Sequence, residues 1–168
     1  MKDGKKSIGV IGGMGPLATQ LFYKMVIEKT DAHTDQEHIN MVILNHATMP
    51  DRTEAILNDK LDDLMHRLDD DAAVLEKFGA DYIVIPCNTC HVLMDHLQSV
   101  THIPIINMIK ETIPTSINTT HGRFLKRYLK SCLRSVSWRL GGAIRSLVVA
   151  NVMRKRITPI TPKIATRY

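Results

Sequence analysis

The feature that most constrains the fold is a change of pattern within residues 81–97. Residues 82–85 are apolar and mostly β-branched, and Pro86 ends the run. Residues 92–97 then carry apolar side chains at helical spacing, so the stretch predicts a strand, a turn and a helix. Cys87 falls in the turn, where the free N–H groups of a helix start favour a thiolate. The alternative is a small buried cysteine packed in a tight turn.

The same alternation runs through the first 112 residues. Apolar, strand-like runs are followed by segments with helical periodicity, and the connections are short. This order is typical of an α/β fold, a doubly wound domain with a mostly parallel sheet. The predicted strands are residues 7–11, 39–44, 81–85 and 103–106, and the predicted helices are residues 17–29, 61–78 and 89–100, with a further helix starting within 107–112.

The predicted helix over residues 61–78 is amphipathic. Its three consecutive aspartates, residues 69–71, are expected on the solvated face rather than at a metal ion, and Gly79 is expected to end the helix. The apolar stripe consists of Leu61, Leu64, Met65, Leu68, Ala72, Leu75 and Phe78.

A glycine-rich turn follows the first strand. Residues 12–16 read Gly-Gly-Met-Gly-Pro, which allows backbone amides to approach an anion closely, and Pro16 suits the first position of a helix. The spacing also fits a dinucleotide fingerprint, which requires an acidic residue at the end of the second strand. That strand ends in Asn45 and His46, so a nicotinamide cofactor is disfavoured.

The loop after the second strand carries Arg52 and Thr53. An arginine presents a planar fork that matches a carboxylate, and the threonine adds a hydroxyl beside it. Because the carboxyl ends of parallel strands meet at one edge of a sheet, this loop, the glycine-rich turn and Cys87 are expected together. The alternative is that Arg52 is simply solvated.

Cys87 and Cys90 form a CxxC pair, which raises the alternatives of disulfide exchange and metal binding. A thioredoxin-like domain is disfavoured because the surrounding pattern is not aromatic-rich and differs in topology. Zinc requires further ligands at matching spacing, and His91 and His96 are poorly placed for one helical face. We therefore predict no metal.

Charge is distributed unevenly along the 168 residues. Residues 1–120 contain 10 Lys/Arg and 17 Asp/Glu, a balance of −7, whereas residues 121–168 contain 12 Lys/Arg and no acidic residue, a balance of +12. The chain has no apolar run of membrane-spanning length and no apolar signal segment at its start, so a cytoplasmic location is expected. Its three cysteines do not form a disulfide framework.

Three motifs together resemble the aspartate/glutamate racemase family, whose members racemise amino acids without pyridoxal phosphate. The resemblance covers roughly residues 7–118. The motifs are Gly9-Val-Ile-Gly-Gly-Met-Gly-Pro-Leu-Ala-Thr19, Asn45-His-Ala-Thr-Met-Pro-Asp-Arg-Thr53 and Ile85-Pro-Cys-Asn-Thr-Cys-His91.

The resemblance implies two similar α/β halves, with a cysteine from each half facing opposite sides of the substrate α-carbon. By motif, Cys87 is one acid/base and Arg52 binds a substrate carboxylate, with Thr53 beside it. Asn88 and Thr89 contact the amino-acid head group. The turn of residues 13–15 lines the same site with Met14 at its edge, whereas Cys90 is expected to pack rather than to take part in catalysis. No cofactor is implied.

The chain departs from the family pattern after His121, because a second strand-turn-helix series and a Gly-Cys-Thr-Glu motif are absent. Cys132 lies in a basic, helix-like segment and is not assigned as the second base. We expect a racemase-like domain over residues 1–118 and a basic tail over residues 119–168. The implied activity is racemisation of aspartate or glutamate, impaired in a half-length chain; the alternative is a non-catalytic remnant that binds an amino-acid carboxylate or a partner subunit, including a second copy.

Two interpretations of the tail remain open. One is a basic amphipathic helix that binds nucleic acid, an acidic partner or a membrane surface. The other, which the abrupt change of composition favours, is a shifted reading frame, so nucleic-acid or membrane binding is disfavoured. The apolar stripe of the helix would be Phe124, Leu125, Tyr128, Leu129, Cys132, Leu133 and Val136.

Overall fold

A computed structural model describes residues 5–112. Two short 3₁₀ segments, Asp35–Glu37 and Thr89–Leu93, lie between the regular elements. The strands are β1 (Ser7–Gly12), β2 (Asn40–Asn45), β3 (Tyr82–Val84) and β4 (Ile105–Ile106). The helices are α1 (Pro16–Lys29), α2 (Arg52–Leu57), α3 (Asp62–Phe78), α4 (Met94–Val100) and α5 (Met108–Thr112).

The four strands form one parallel sheet in the order β2-β1-β3-β4. β1 is buried along its whole length because it has a strand on each side and helices against both faces. The chain moves from β1 to β2 on one side and later returns to place β3 on the other side. The strand order therefore reverses beside β1, and such a switch point is where open α/β sheets bind ligands. The predicted doubly wound architecture is confirmed.

The sheet separates two apolar cores. On one face, Ile8 and Val10 of β1 pack with α1 residues such as Phe22 and Val26. On the other face, Ile11 packs with residues of α3 and α4. The alternation along β1 follows from the period of two in a strand, and burial of both faces explains its continuous apolar sequence.

Helix α3 departs from the predicted pattern at two positions. Phe78, assigned to the apolar stripe, is 56% exposed at the last turn. Asp71, assigned to the solvated face, is only 8% exposed and contacts His46. Leu68 and Leu75 lie three residues before and four residues after Asp71, so helical geometry turns Asp71 toward the core. Gly79 ends α3 as predicted, in the left-handed conformation at φ 80°.

The segment after β3 also differs from the prediction of one helix over residues 89–100. It begins as a 3₁₀ segment, Thr89–Leu93, and becomes α-helical only at Met94. The predicted tail, including Cys132 and the proposed boundary at residue 118, lies outside the described residues, so those predictions stay untested. Among residues 5–112, no helix combines the length and apolar character needed to cross a membrane.

Candidate active site at the carboxyl edge of the sheet

Three loops meet where β1, β2 and β3 end. Gly12 and Asn45 are paired at the last position of β1 and β2, and the backbone N–H of His46 donates to the Gly12 carbonyl over 3.3 Å. The third loop leaves β3 after Val84 and carries Cys87. The sheet register thus brings the three sequence motifs to one edge, as predicted.

In the glycine-rich turn, the glycines serve mainly to let protein segments approach each other. A Cβ at Gly12 would lie 2.5 Å from Thr19 Cγ2, and a Cβ at Gly13 would lie 2.5 Å from the His46 backbone. The Gly13 N–H donates to Thr19 Oγ1 over 2.9 Å, so this amide is not available to an anion in this conformation. The anion site predicted from the glycines alone therefore loses one of its donors.

Met14 lies deeper than the sequence predicts. Its side chain is 4% exposed and belongs to the core on the α3 face, rather than to an open edge of the site. Its Sδ atom lies 3.4 Å from Cys90 Sγ. Because the thioether is enclosed by protein, Met14 packs against the Cys90 side chain within the core.

Cys87 is a partly buried free thiol whose surroundings favour the thiolate. Its pKa is lowered from 9.0 to about 6. The largest cause is a hydrogen bond from the Cys90 side chain; burial opposes it, while the backbone amides of Cys90 and Thr89 and the positive charge of Arg52 lower the pKa further. The predicted thiolate thus has a wider set of donors than a helix start alone, and at neutral pH Cys87 can accept a proton.

Cys90 does more than the packing role predicted for it. Its side chain is fully buried, and the hydrogen bond with Cys87, together with burial, raises its pKa. The Cys90 S–H donates to the Met14 thioether over 3.4 Å and also contacts the Cys87 sulfur. Once Cys87 is ionised, the thiolate is the stronger of the two acceptors. Cys90 therefore stays protonated and stabilises the charge on Cys87.

Arg52 is the first residue of α2, a helix whose N-cap Asp51 accepts a hydrogen bond from the Glu54 amide. One guanidinium nitrogen, Nη1, donates to the Pro50 carbonyl over 2.9 Å. The Nε atom is buried and has no hydrogen-bond partner within residues 5–112. A buried donor left unpaired is costly, and an arginine edge with a free N–H matches one oxygen of a carboxylate.

The remaining predicted contact residues lie at the same edge. Thr53 follows Arg52 in the first turn of α2, which lies against the 3₁₀ segment after Cys87. Asn88 is exposed and Thr89 is partly buried, and the Thr89 amide points to the Cys87 sulfur. The fold brings Arg52, Cys87 and these neighbours together. No group of three or more potential metal ligands occurs in the described part of the chain.

Sequence reasoning missed a histidine–carboxylate pair beside the site. His46 Nδ1 lies 3.2 Å from both carboxylate oxygens of Asp71. Burial raises the pKa of Asp71, and the contact with His46 opposes that rise. The pair therefore connects α3 with the loop that carries Arg52. The helical spacing of Asp71 with Leu68 and Leu75 was the signal that could have identified it.

Comparisons of the sequence with known proteins identify amino-acid racemases. Residues 11–125 match the family model described as Asp/Glu/Hydantoin racemase. The broad specificity amino-acid racemase RacX of Bacillus subtilis (strain 168) is 33% identical over 110 residues. That match covers 63% of this chain and 47% of RacX, so the chain spans about half the length of this relative.

The solved structures that resemble this chain include an aspartate racemase and an aspartate racemase homologue. The aspartate racemase of Picrophilus torridus superposes with a TM-score of 0.61 at 28% sequence identity, covering 89% of this chain and 90% of that one. An aspartate racemase homologue from Pyrococcus horikoshii OT3 superposes with a TM-score of 0.57, covering 75% of this chain and 61% of that one. Its sequence identity is 23%, so this second likeness concerns the fold alone.

Proposed function

Since the chain belongs to the Asp/Glu/Hydantoin racemase family, we propose that Cys87 removes the α-proton of an amino acid whose carboxylate is held by Arg52. The observation that carries this proposal is the pairing of a thiol of lowered pKa with a nearby arginine whose buried Nε lacks a partner within residues 5–112. One group is a base at neutral pH, and the other is a cation with a free donor. Abstraction of an α-proton requires both.

The reaction places negative charge on the substrate carboxylate as the C–H bond breaks. The Cys87 thiolate takes the proton and becomes a neutral thiol, while the electron pair delocalises into the carboxylate bound by Arg52. A guanidinium that is already positioned stabilises this charge more strongly in a partly buried site than in water. Asn88 and Thr89, in the turn that carries Cys87, are the proposed contacts of the amino-acid head group.

Inversion needs a second proton donor on the opposite face of the α-carbon. Cys90 does not fill this role, because it is fully buried and its pKa is raised by the contact with Cys87 and by burial. We therefore propose Cys87 as one of the two proton-transfer groups, and the other as a group from outside residues 5–112 or from another chain.

The proposed substrate is a small acidic amino acid, and no cofactor takes part. The similarity to an aspartate racemase favours aspartate, whereas the similarity to RacX favours a wider range of amino acids. Both assignments share the α-carboxylate and the α-proton, which are the groups that Arg52 and Cys87 are suited to engage.

The test is proton NMR of L- and D-aspartate incubated with the full chain in D2O, with chiral analysis of the recovered amino acid. The proposed racemisation gives loss of the α-proton signal together with inversion, and Cys87→Ala abolishes both. Exchange with retained configuration would leave Cys87 as a base but overturn racemisation. No exchange from a folded protein would overturn both parts of the proposal.

A second candidate function is binding of an amino-acid carboxylate without turnover. The unpartnered Nε of Arg52 favours it, because binding needs only this donor and no second acid. Calorimetric titration with aspartate distinguishes the two functions: binding that Arg52→Lys weakens, in a protein that catalyses no exchange, supports the second.

A further inference from the structure

His91 is a buried histidine to which the proposed chemistry assigns no role. It lies in the 3₁₀ segment directly after the site and is 7% exposed. Both ring nitrogens have a partner: Nδ1 lies 2.8 Å from the Cys87 carbonyl oxygen, and Nε2 lies 3.2 Å from the Met108 backbone nitrogen. The ring therefore bridges the cysteine turn and the start of α5.

The two partners fix the protonation state of the ring. A backbone carbonyl only accepts, so Nδ1 carries the hydrogen and donates to Cys87; a backbone amide only donates, so Nε2 is the acceptor for Met108. One neutral tautomer satisfies both contacts. Burial also lowers the pKa of His91 to about 4, so the ring stays neutral at neutral pH.

The bond to Cys87 replaces a helical backbone bond. In an α-helix, the amide of residue 91 would donate to the carbonyl of residue 87. Here the 3₁₀ winding directs the His91 amide to the Asn88 carbonyl over 3.1 Å, and the His91 side chain takes over the carbonyl of Cys87. The backbone amides of Thr89 and Cys90, in the same turn, help to lower the pKa of the Cys87 thiol.

We propose that His91 is a positioning residue, whose Nδ1–H holds the Cys87 carbonyl so that the amides of Thr89 and Cys90 face the Cys87 sulfur. The ring acts through the backbone and does not itself exchange protons. The inference rests on the proposed function only in treating Cys87 as the reactive base; the geometry of the turn is independent of turnover.

Three substitutions separate the two ring contacts. In His91→Asn, the side-chain nitrogen can replace Nδ1 and keep the bond to Cys87, but the shorter side chain cannot accept from the Met108 amide. In His91→Gln, the longer side chain reaches the position of Nε2 and accepts from Met108, but the donor to Cys87 is lost. His91→Phe fills the volume and removes both contacts.

The measurement is the pH profile of Cys87 alkylation by iodoacetamide in the full chain, with the modified peptide identified by mass spectrometry. We expect His91→Asn to keep the midpoint of the wild type. His91→Gln and His91→Phe should move it upward, with a two- to tenfold lower ionisation constant, about the effect of one hydrogen bond. Equal profiles for Asn and Gln would overturn the proposal, because the Nδ1 contact would then have no specific effect.

A measurement on the wild type keeps the inference testable where a variant does not fold. Nitrogen-15 NMR distinguishes the two neutral tautomers of histidine. We expect His91 to carry its hydrogen on Nδ1 at every pH from 5 to 8; a hydrogen on Nε2, or titration within that range, would overturn the proposal. Neither experiment requires turnover, so a failure of the proposed racemisation leaves both results interpretable.

Discussion

Replacement of Cys90 tests the electrostatic description of the site most directly. The Cys90 side chain is the largest contributor to the low pKa of Cys87. Cys90→Ala removes the donor but leaves the backbone amides and Arg52 in place. Cys90→Ser keeps a donor of similar size and is the matched control.

The size of the effect follows from the strength of one hydrogen bond to a charged acceptor. With a pKa of about 6, Cys87 is about nine-tenths ionised at pH 7. A hydrogen bond to an ionised group contributes about 1.5–3 kcal/mol, and the lower end applies because a thiol is a weak donor. Its loss lowers the ionisation constant of Cys87 about tenfold, which leaves about half of the thiol ionised at pH 7.

The assay is titration of the thiolate ultraviolet absorbance in a Cys132→Ser background, so that Cys87 and Cys90 are the only cysteines present. A single titration near pH 6 is expected, because ionisation of Cys87 raises the pKa of Cys90. The midpoint should rise in Cys90→Ala and stay low in Cys90→Ser. An unchanged midpoint in Cys90→Ala would refute the assignment of Cys90 as the donor.

Three further predictions concern other parts of the molecule. Arg52→Lys should weaken aspartate binding about tenfold or more in calorimetric titration, because an ammonium does not reproduce the planar fork; unchanged affinity would contradict the carboxylate assignment. Gly13→Ala should cost more stability in thermal unfolding than Gly79→Ala: both glycines have positive φ, but only at Gly13 would the new Cβ meet backbone, that of His46 at 2.5 Å. The Gly79 change should cost about 1–2 kcal/mol, and equal costs would contradict the steric argument. Leu75→Ala should destabilise the fold by about 2–5 kcal/mol in denaturant unfolding, since Leu75 is fully buried in the core on the α3 face; a loss under 1 kcal/mol would argue against that packing.

The Asp71 error shows how a local pattern can mislead. Three consecutive aspartates indicate a solvated face on composition, yet residue 71 falls on the buried side of the helix. The period of 3.6 residues in α3 contained this information, whereas the identity of the partner did not, because His46 lies 25 residues away in the chain. A buried carboxylate becomes acceptable only when a folded neighbour supplies the hydrogen bond.

Cys90 shows the same limit at the site itself. The packing predicted for Cys90 is confirmed by its full burial, but its i+3 spacing from Cys87 does not by itself reveal the contact between the two thiols. Its contact with Cys87 occurs within the tight winding that begins at Thr89, and its contact with Met14 joins it to a residue 76 positions earlier in the chain. His91 likewise gains its second partner, Met108, only through the return of the chain after β4.

Local sequence pattern is enough to predict the alternation of strands and helices, the parallel sheet and the position of Cys87 in a turn. These features follow from hydrophobic period and from local preferences of glycine, proline and β-branched residues, which act over a few neighbouring positions. The identity of the polar groups that lie against Cys87 and Arg52, which sets how strongly the thiolate is favoured, becomes visible only in the folded chain. Charge stabilisation depends on distance and burial, and both are set by segments that are far apart in the chain and meet only when the sheet forms.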